Sequence, residues 1–542
     1  MKNFSTMKHF WRFLVATALV ALTVQANAAP LSSAQRLSLL NGLCGPEQVT
    51  ALNLLVEAAA SEERVWASRI IESLSNGTFI CSSERGPLIS GSDAVLDAAT
   101  LAPAVGVAAS EELPLVPTIV LRRALSIVTA QLDLTSPDLK TRRAAATQVN
   151  DSFASLNPTV VARALAAEKD TEIKASLLMA LAKRGLQSDV PSERLKAIAA
   201  IAEVPSEAGR TLLINYLDSK IDTLDAESVS AARSALQSIN DMLRLGHVAS
   251  VIFSGLSYGS ILLISALGLS IVFGLLGVIN LAHGEFIMIG AYSTYVVEQL
   301  MQSYVPGLFD AYIFVAIPVA FLICALLGVV LEVCVIRHLY TRPLETLLAT
   351  WAVSIALIKL VQLTFGSQNV EFITPEFLNG GMRVFAGFFI TWNRIFAIAL
   401  ALLIFGMTYF LIKRTRFGLL VRATTQRRDT ARSLGVAAES IDRLAFGLGA
   451  GLAGLAGVVL TQITSVNPSM GTSFVIDAFM VVVLGGAGSL VGTAVSSLFL
   501  GQINQFIEPL YGAVAAKVTV LLLIVLIIQR RPQGLFALKT RT

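Results

Sequence analysis

The chain has 542 residues, of which 54% are hydrophobic and only 14% are charged, and its mean hydropathy is +0.70. These values exclude an ordinary soluble globule, in which about a quarter of residues are charged, and intrinsic disorder, which requires low hydrophobicity. The net charge of +4 is unevenly divided: residues 1–28 carry +3, residues 29–250 carry −5 and residues 251–542 carry +6. No run of Lys or Arg lies on a soluble face, so a nucleic-acid role is not indicated. The composition indicates a leader, an acidic soluble domain and a membrane domain.

Residues 1–28 have the layout of a secretory signal peptide. Three basic residues, the last of them Arg12, precede an uncharged run over residues 13–24. A small-x-small cleavage pattern then ends at Ala28. An uncleaved membrane anchor is the alternative, but the apolar run is short for a membrane span. We expect cleavage after Ala28 and export of the residues that follow.

Residues 29–250 are predicted to form an exported, all-helical domain. The stretch is rich in Ala, Leu, Glu and Arg, and Leu195, Ile198 and Ile201 illustrate its helical periodicity. Segments that open with Asp, Ser or Pro and run into an Ala/Leu-rich helix are typical of helix starts. Four such segments begin near residues 136, 169, 188 and 225. They resemble degenerate HEAT-type repeats, and an irregular helical bundle is the alternative.

The four cysteines fall into two pairs. Cys44 and Cys81 lie in the exported domain, where an oxidising compartment would allow a disulfide between them. Two separate buried thiols are the alternative. Cys324 and Cys334 lack neighbours at metal-ligand spacing, so we interpret them as packing residues and predict no metal site.

Residues 251–542 are predicted to form a polytopic bundle of membrane helices. A bilayer core requires about 20 apolar residues per helix. The segment 413–443 contains eight Lys and Arg residues, which places it in the cytoplasm by the positive-inside rule. An outside N-terminus and an inside C-terminus require an odd number of crossings, and we expect seven to nine. The supporting apolar runs cover residues 248–282, 311–331, 346–370, 395–412, 444–476, 478–507 and 511–528.

Two groups of polar residues within these apolar runs are candidates for a substrate pathway. Polar groups at membrane depth are costly unless they are paired or hydrated. For the first group the alternative is a cap at the cytoplasmic interface, and for the second it is an ordinary polar membrane boundary. The first group is Asn280, His283 and Glu285, and the second is Gln462, Asn467 and Asp477.

A glycine-rich run at residues 447–457 predicts a tight helix–helix face. It is not a phosphate-binding loop, because no Lys-Ser or Lys-Thr follows it. The sequence therefore shows no ATP-binding motif of its own.

At these residues the sequence resembles the permeases of branched-chain amino acid-type ABC importers. The resemblance rests on Gly-Val-Ile-Asn-Leu-Ala-His-Gly-Glu at residues 277–285, the Arg-Ala-Thr segment that begins at Arg422, and Gly-Leu-Ala-Gly-Leu-Ala-Gly-Val at residues 451–458. It covers essentially all of residues 251–542. The segments 343–351, 365–370 and 477–486, together with the long exported extension, resemble the urea-transporting subgroup more closely.

The resemblance implies a multi-pass permease of the bacterial inner membrane, with residues 29–250 in the periplasm. Such a subunit performs no covalent chemistry and holds no cofactor. It moves a solute by alternating access, while a partner hydrolyses ATP. The implied partners are a second homologous permease, cytoplasmic ATP-binding subunits and a periplasmic solute-binding protein.

In such importers, a cytoplasmic loop carries an Ala and a Gly four residues apart that dock into the ATPase. Ala431 and Gly435 match this spacing, and Asp429 stands where the wider consensus has Glu. Arg422 lies in the same predicted coupling loop. Simple positive-inside anchoring is the alternative role for this loop.

Urea is the solute that the closer resemblance implies. Branched-chain amino acids or short amides are the alternative within the same class of transporter. An alternative of another class is a membrane-anchored scaffold that acts through the exported helical domain.

Overall fold

The structure, a computed structural model, divides into two compact units, residues 1–241 and 242–542. The sequence predicts this boundary at residue 250. The predicted signal peptide lies outside the described residues. The structure describes residues 31–45, 48–59, 63–82, 86–90, 95–104, 114–220, 225–340, 342–531 and 534–536.

The first unit consists of short helices and one small antiparallel sheet. The strands β1 (Phe79–Ser82), β2 (Gly86–Ser90) and β3 (Val95–Asp97) pair in the order β1-β2-β3. The helices are α1 (Ser33–Cys44), α2 (Gln48–Ala59), α3 (Arg64–Ser75), α4 (Ile119–Asp133), α5 (Leu139–Asp151), the 3-10 turn Phe153–Ser155, α6 (Pro158–Ala167), α7 (Thr171–Gly185), α8 (Pro191–Glu203) and α9 (Glu207–Lys220).

Local capping explains where several of these helices begin. Asp138 Oδ2 accepts a hydrogen bond from the Thr141 amide at 3.0 Å, and Asp170 Oδ1 accepts one from the Ile173 amide at 3.0 Å. These caps satisfy amide donors that have no partner within the helix. At α8, Pro191 occupies the first turn instead. The predicted helix starts are therefore confirmed at these positions, whereas the HEAT-type repeat stays a prediction.

The sheet is a feature that helical periodicity did not predict. Its strands are only three to five residues long, so they carry too few positions for an alternating pattern to be recognised. Cys44 at the end of α1 and Cys81 in β1 lie with their sulfur atoms 2.00 Å apart and their Cα atoms 5.7 Å apart. The predicted all-α class nevertheless holds for the chain, with this sheet as a local addition.

The ion pair between Arg194 and Asp225 leads to a prediction about acid stability. The Arg194 guanidinium, followed by hydrogen bonds from Ser228, holds the pKa of Asp225 well below its usual range. A carboxyl group with a lowered pKa stabilises the folded state above its unfolded pKa of about 3.9 and loses that contribution as the pH falls below it. Because this loss is complete only when the pH falls through the lowered folded pKa, we expect Asp225→Asn to lower the melting temperature at pH 7 and to lower it much less at pH 1. Thermal unfolding of the full chain, followed at both pH values, measures this; an equal loss at the two pH values would contradict it.

The second unit contains the long apolar helices and a β-hairpin. Helix α10 begins before the unit boundary and continues into this unit. The helices and strands of the second unit are α10 (Ala226–Leu276), α11 (His283–Tyr304), the 3-10 turn Pro306–Ala311, α12 (Tyr312–Cys334), the 3-10 turn Ile336–His338, α13 (Pro343–Phe365), the 3-10 turn Glu376–Leu378, β4 (Gly381–Phe385), β5 (Phe388–Thr391), α14 (Trp392–Arg414), α15 (Arg416–Gln426), α16 (Arg428–Ser433), α17 (Ala438–Thr461), α18 (Met470–Gly485) and α19 (Leu490–Arg530).

Helix α19 is a folded-back pair rather than one straight rod. Gly512 interrupts it with φ = +85°, three residues after Pro509. A straight helix of 41 residues would be about 60 Å long. Instead, a Cβ added at Gly492 would lie 3.0 Å from the Cβ of Phe536, so the end of the pair returns to its start.

Six helices among the described residues are long and apolar enough to cross a membrane: α10, α12, α13, α14, α17 and α19. Helix α19 consists of two halves, and α11 and the 16-residue α18 are additional helices of the same unit. The polytopic helical bundle is therefore confirmed. The number of crossings, seven to nine from the sequence, stays a prediction.

The glycine-rich helix α17 lies at the centre of this bundle, and nearly all of its residues are buried. A Cβ added at Gly454 would lie 2.6 Å from Cys324 Sγ, and one added at Gly457 would overlap the carbonyl oxygen of Ile287. Small residues here allow α17 to approach α11 and α12 closely. The predicted tight helix–helix face is confirmed, and buried Cys324 is part of that packing.

Candidate functional site

Helix α11 begins beside α10, not at its end. His283 Nε2 lies 3.0 Å from the carbonyl oxygen of Ser265, which is eleven residues before the end of α10 at Leu276. Eleven helical residues correspond to about 16 Å, so the segment 277–282 turns back along α10 before α11 starts. Residues near the start of α11 are therefore buried inside the bundle.

A second helix start meets the first one. Helix α18 begins at Met470, after the turn that follows α17. A Cβ added at Gly284 would overlap the carbonyl oxygen of Gly471, and one added at Gly471 would overlap that of Gly284. Only glycine at both positions allows this backbone approach. The first turns of α11 and α18 thus cross each other within the second unit.

The first group of predicted polar residues, Asn280, His283 and Glu285, lies around the start of α11. All three residues are buried. Asn280 Oδ1 accepts a hydrogen bond from the Ala282 amide at 3.0 Å, and this turn leads into α11. Glu285 Oε1 accepts a hydrogen bond from the Ser354 hydroxyl of α13 at 2.8 Å. Asn280 Nδ2, His283 Nδ1 and Glu285 Oε2 have no hydrogen-bond partner among the described residues. Each such buried polar atom costs about 1–3 kcal/mol, which favours a functional role for the group.

The second predicted group is not one cluster. The Gln462 amide donates to the Tyr312 hydroxyl at 3.0 Å, beside the end of α17. Asn467 Oδ1 accepts from the Ser469 amide at 3.0 Å and thereby shapes the turn before α18. Asp477 lies on α18 and accepts from the Tyr258 hydroxyl of α10 at 3.0 Å.

Sequence reasoning missed the partners of these residues. Ser354, Tyr258 and Tyr312 are single polar groups in long apolar runs, and nothing in their spacing distinguishes them. Lys517 is different, because a cation within an apolar run is a visible signal. Its ammonium group lies 3.7 Å from Asp477 Oδ2.

The predicted coupling loop forms α15 and α16, which a compact ionic network joins to the bundle. Arg428 pairs with the buried Asp442 of α17, and its guanidinium lies 5.2 Å from the ring centroid of Tyr340. The Tyr340 hydroxyl donates to the buried Glu332 of α12 at 3.3 Å, and Arg337 pairs with Glu332 at 3.2 Å. Burial, helped by the nearby carboxylates, raises the pKa of Tyr340, so its hydroxyl remains a donor.

The four predicted coupling residues occupy different environments. Arg422 donates to the carbonyl oxygen of Ile412 at 2.6 Å, which satisfies one of the last carbonyl groups of α14. Ala431 is buried, whereas Asp429 and Gly435 are exposed, and Gly435 has φ = +86°. Leu434 is 80% exposed next to them. The exposed surface of this loop therefore includes Asp429, Leu434 and Gly435 but not Ala431.

Among the residues that the structure describes, no group of three or more His, Cys, Asp or Glu side chains is placed to hold a metal ion.

Comparisons with known proteins give matches in the second unit. The family profile described as branched-chain amino acid transport system / permease component matches residues 251–529. The high-affinity branched-chain amino acid transport system permease protein BraD of Pseudomonas aeruginosa is 30% identical over 301 residues, which cover 54% of this chain and 97% of BraD. The corresponding protein LivH of Escherichia coli is 31% identical over 293 residues, which cover 52% of this chain and 93% of LivH.

A ribose import permease protein, RbsC of Escherichia coli, is 30% identical over a shorter stretch of 136 residues, 23% of this chain and 42% of RbsC. No solved structure gives a significant match. The family profile spans more than half of the chain and includes the whole helix-crossing region at Gly284 and Gly471. The chain therefore belongs to the permease component family of branched-chain amino acid transport systems.

Proposed function

We propose that this chain is the translocation subunit of an ATP-driven importer, with branched-chain amino acids as its first candidate solutes. The observation that carries the proposal is the crossing of two helix starts at Gly284 and Gly471, next to the unpaired polar atoms of Asn280, His283 and Glu285. Broken helices whose N-termini meet inside the bilayer are where membrane transporters bind their solutes. BraD and LivH, named above, are branched-chain amino acid transport system permease proteins.

The mechanism we propose is alternating access. A solute-binding protein delivers the solute on the outer side, and a second, homologous permease completes the pathway in the inner membrane. Cytoplasmic ATP-binding subunits dock on the exposed surface of Asp429, Leu434 and Gly435. Their movement reaches the bundle through Arg428, which is tied to α17 by Asp442 and to Tyr340 by its guanidinium.

Urea is the second candidate solute. It is favoured by the resemblance of segments 343–351, 365–370 and 477–486 to urea-transporting permeases, and by the exported extension, which lies outside the matched residues 251–529. Urea carries no net charge and needs only neutral donors and acceptors, and the Asn280 amide and the Ser354 hydroxyl are groups of that kind.

The solute is tested by uptake of labelled leucine and labelled urea at low micromolar concentration. Cells with and without this gene are compared, with the other subunits expressed in both. Loss of leucine uptake alone supports the first candidate, and loss of urea uptake alone supports the second. Unchanged uptake of both solutes would contradict the proposed solutes.

Deletion of residues 29–241, which leaves the second unit intact, addresses the alternative of a membrane-anchored scaffold. We expect the permease unit to retain solute uptake, because the crossing helices and the ionic network lie entirely within residues 242–542. Uptake in cells that express the shortened chain, at matched membrane levels, measures this. Complete loss of uptake from a correctly inserted chain would favour the scaffold.

A further inference from the structure

We propose that residues 366–380, which we call the outer strap, form a lid over the outer end of the permease, and that Glu298 latches this lid closed. The inference rests on the proposed function of the chain as a translocation subunit. It goes beyond that function by naming a gate and the residue that holds the gate shut. The candidate site at residues 280–285 does not include the strap.

The outer strap lies on the face of the membrane unit opposite to the basic loops. It connects the end of α13 at Phe365 to the start of β4 at Gly381, and the hairpin that follows leads into α14. Helix α14 has 23 residues, which span about 34 Å, enough to cross the core of a bilayer. It ends at Arg414, within the basic segment 413–443. Because positively charged loops stay in the cytoplasm, the positive-inside rule places the strap on the outer face.

Hydrogen bonds hold the middle of the strap against the outer ends of α11 and α12. Glu298 Oε1 of α11 accepts from the Ile373 amide at 2.9 Å, and the Tyr312 hydroxyl of α12 donates to the Ile373 carbonyl oxygen at 3.2 Å. Asp310 Oδ1, in the turn before α12, accepts from the Glu376 amide at 2.9 Å. Side chains of other elements therefore fix both backbone groups of Ile373.

The first part of the strap is joined to the turn that leads into the candidate site. The Val370 amide donates to the carbonyl oxygen of Val466 at 2.8 Å, within an antiparallel bridge. Val466 lies between α17 and α18, four residues before α18 begins at Met470. The next residue, Gly471, meets Gly284 at the helix crossing. The strap is therefore connected to the helix start that forms one side of the candidate site.

The strap has the properties of a segment that can move as a lid. Gly366 and Gly380 bound it with φ = +88° and φ = +79°, and a Cβ added at either glycine would meet nothing within 4 Å. Glycine in open space rotates at little cost, and a few such positions are enough to serve as the hinges of a lid. Within the strap, Pro375 and Leu378 are the buried residues. A segment with few buried contacts opens at a small cost in free energy.

Glu298 has the chemistry of a latch that both closes and opens. Its side chain is buried, the Ile373 amide is its hydrogen-bond partner, and Oε2 has none among the described residues. Burial of a carboxylate costs free energy that one hydrogen bond offsets only in part. When the strap opens, water reaches the carboxylate and removes that cost. The closed and open states therefore differ little in free energy, as a gate requires.

The first test locks the strap in the complete importer, reconstituted in proteoliposomes. Antiparallel partners have Cα atoms about 4.5–5.5 Å apart, which a disulfide can span, so Val370→Cys/Val466→Cys should cross-link on oxidation. If the strap gates uptake, oxidation should lower the uptake of labelled leucine or urea about tenfold or more, and reduction should restore it. Met382→Cys/Ile390→Cys is the matched control, because it cross-links two partners within the hairpin and leaves the strap free. The control and the unmodified importer should transport equally after oxidation and after reduction.

The second test measures how often the strap opens. Val466 is fully buried, so the thiol of Val466→Cys should react with N-ethylmaleimide when the strap is open. Adding Glu298→Leu should raise the labelling rate about tenfold, the effect of one lost hydrogen bond to a charged group. Glu298→Gln keeps an acceptor oxygen and should raise the rate much less. Buried Cys324 reports loosening of the whole unit, and its labelling should be the same in all variants.

The outcomes of the two tests separate the lid, the latch and the proposed function. Equal uptake by the cross-linked and reduced forms of Val370→Cys/Val466→Cys overturns the lid, and failure of the two cysteines to cross-link overturns the contact on which it rests. Equal labelling of Val466→Cys with and without Glu298→Leu, or a parallel rise at Cys324, overturns Glu298 as the latch. Failure of the unmodified importer to transport either solute overturns the proposed function, whereas the labelling experiment still decides whether Glu298 holds the strap.

Discussion

Gly284→Val is expected to abolish solute uptake and to reduce strongly the amount of folded protein in the membrane. Any Cβ at this position overlaps the carbonyl oxygen of Gly471, and backbone cannot move aside as a flexible side chain can. Overpacking in a well-packed core lowers the free energy of unfolding by about 1–3 kcal/mol. We expect an overlap with backbone atoms to cost at least the upper value of that range. Membrane levels, thermal unfolding in detergent and uptake of the transported solute measure the effect.

Gly406→Val in α14 is the matched control for this substitution. Gly406 is also a helical glycine of the membrane unit, but a Cβ added there meets nothing within 4 Å. We expect this variant to fold and to transport normally. If Gly284→Val behaved like Gly406→Val, the starts of α11 and α18 would not meet as described, and the proposed pathway would lose its structural basis.

Arg428→Ala is expected to uncouple ATP hydrolysis from transport and to destabilise the permease. The substitution leaves Asp442, which is 2% exposed, without its cation and removes the guanidinium from Tyr340. Removal of one partner from a fully buried pair costs about 3–5 kcal/mol. Since Arg428 is 34% exposed, we expect Arg428→Ala to lower the free energy of unfolding by about 2 kcal/mol. In the reconstituted importer, the ATPase activity that is stimulated by loaded binding protein should fall less than solute uptake does.

Arg432→Ala is the control for Arg428→Ala, because it removes a cation from the same short helix without exposing a buried carboxylate. Arg432 lies 3.8 Å from Glu439, and both side chains are about half exposed. Exposed pairs of this kind contribute about 0–1 kcal/mol. The double variant Arg428→Ala/Asp442→Ala should recover stability but not coupling. Equal uptake by Arg428→Ala and Arg432→Ala would exclude the proposed mechanical link.

Much of the helical architecture could be predicted because its signals are local. Asp138 and Asp170 cap the helices that follow them, and the long apolar runs correspond to the membrane helices. The glycine pattern of α17 is equally local, since small residues at helical spacing indicate a tight face regardless of the partner helix. Asn280, His283 and Glu285 were recognised as unusual because polar residues rarely interrupt apolar sequence.

The remaining features depend on contacts between residues distant in sequence. The depth of α11 is set by His283 against Ser265 and by Gly284 against Gly471, and no pattern within residues 277–285 encodes either contact. The same holds for Asp477, whose partners are 219 residues before it on α10 and on the folded-back half of α19. Gln462 and Asn467 are near Asp477 in sequence, yet helix geometry directs them to other partners.

The most direct test of the account is solute accumulation in proteoliposomes that contain the complete importer. We predict that labelled leucine or urea rises above its outside concentration only when ATP, the binding protein and this chain are all present. Equal uptake without ATP would show a channel instead of a pump. Undiminished accumulation after omission of this chain would show that it is not the translocation subunit.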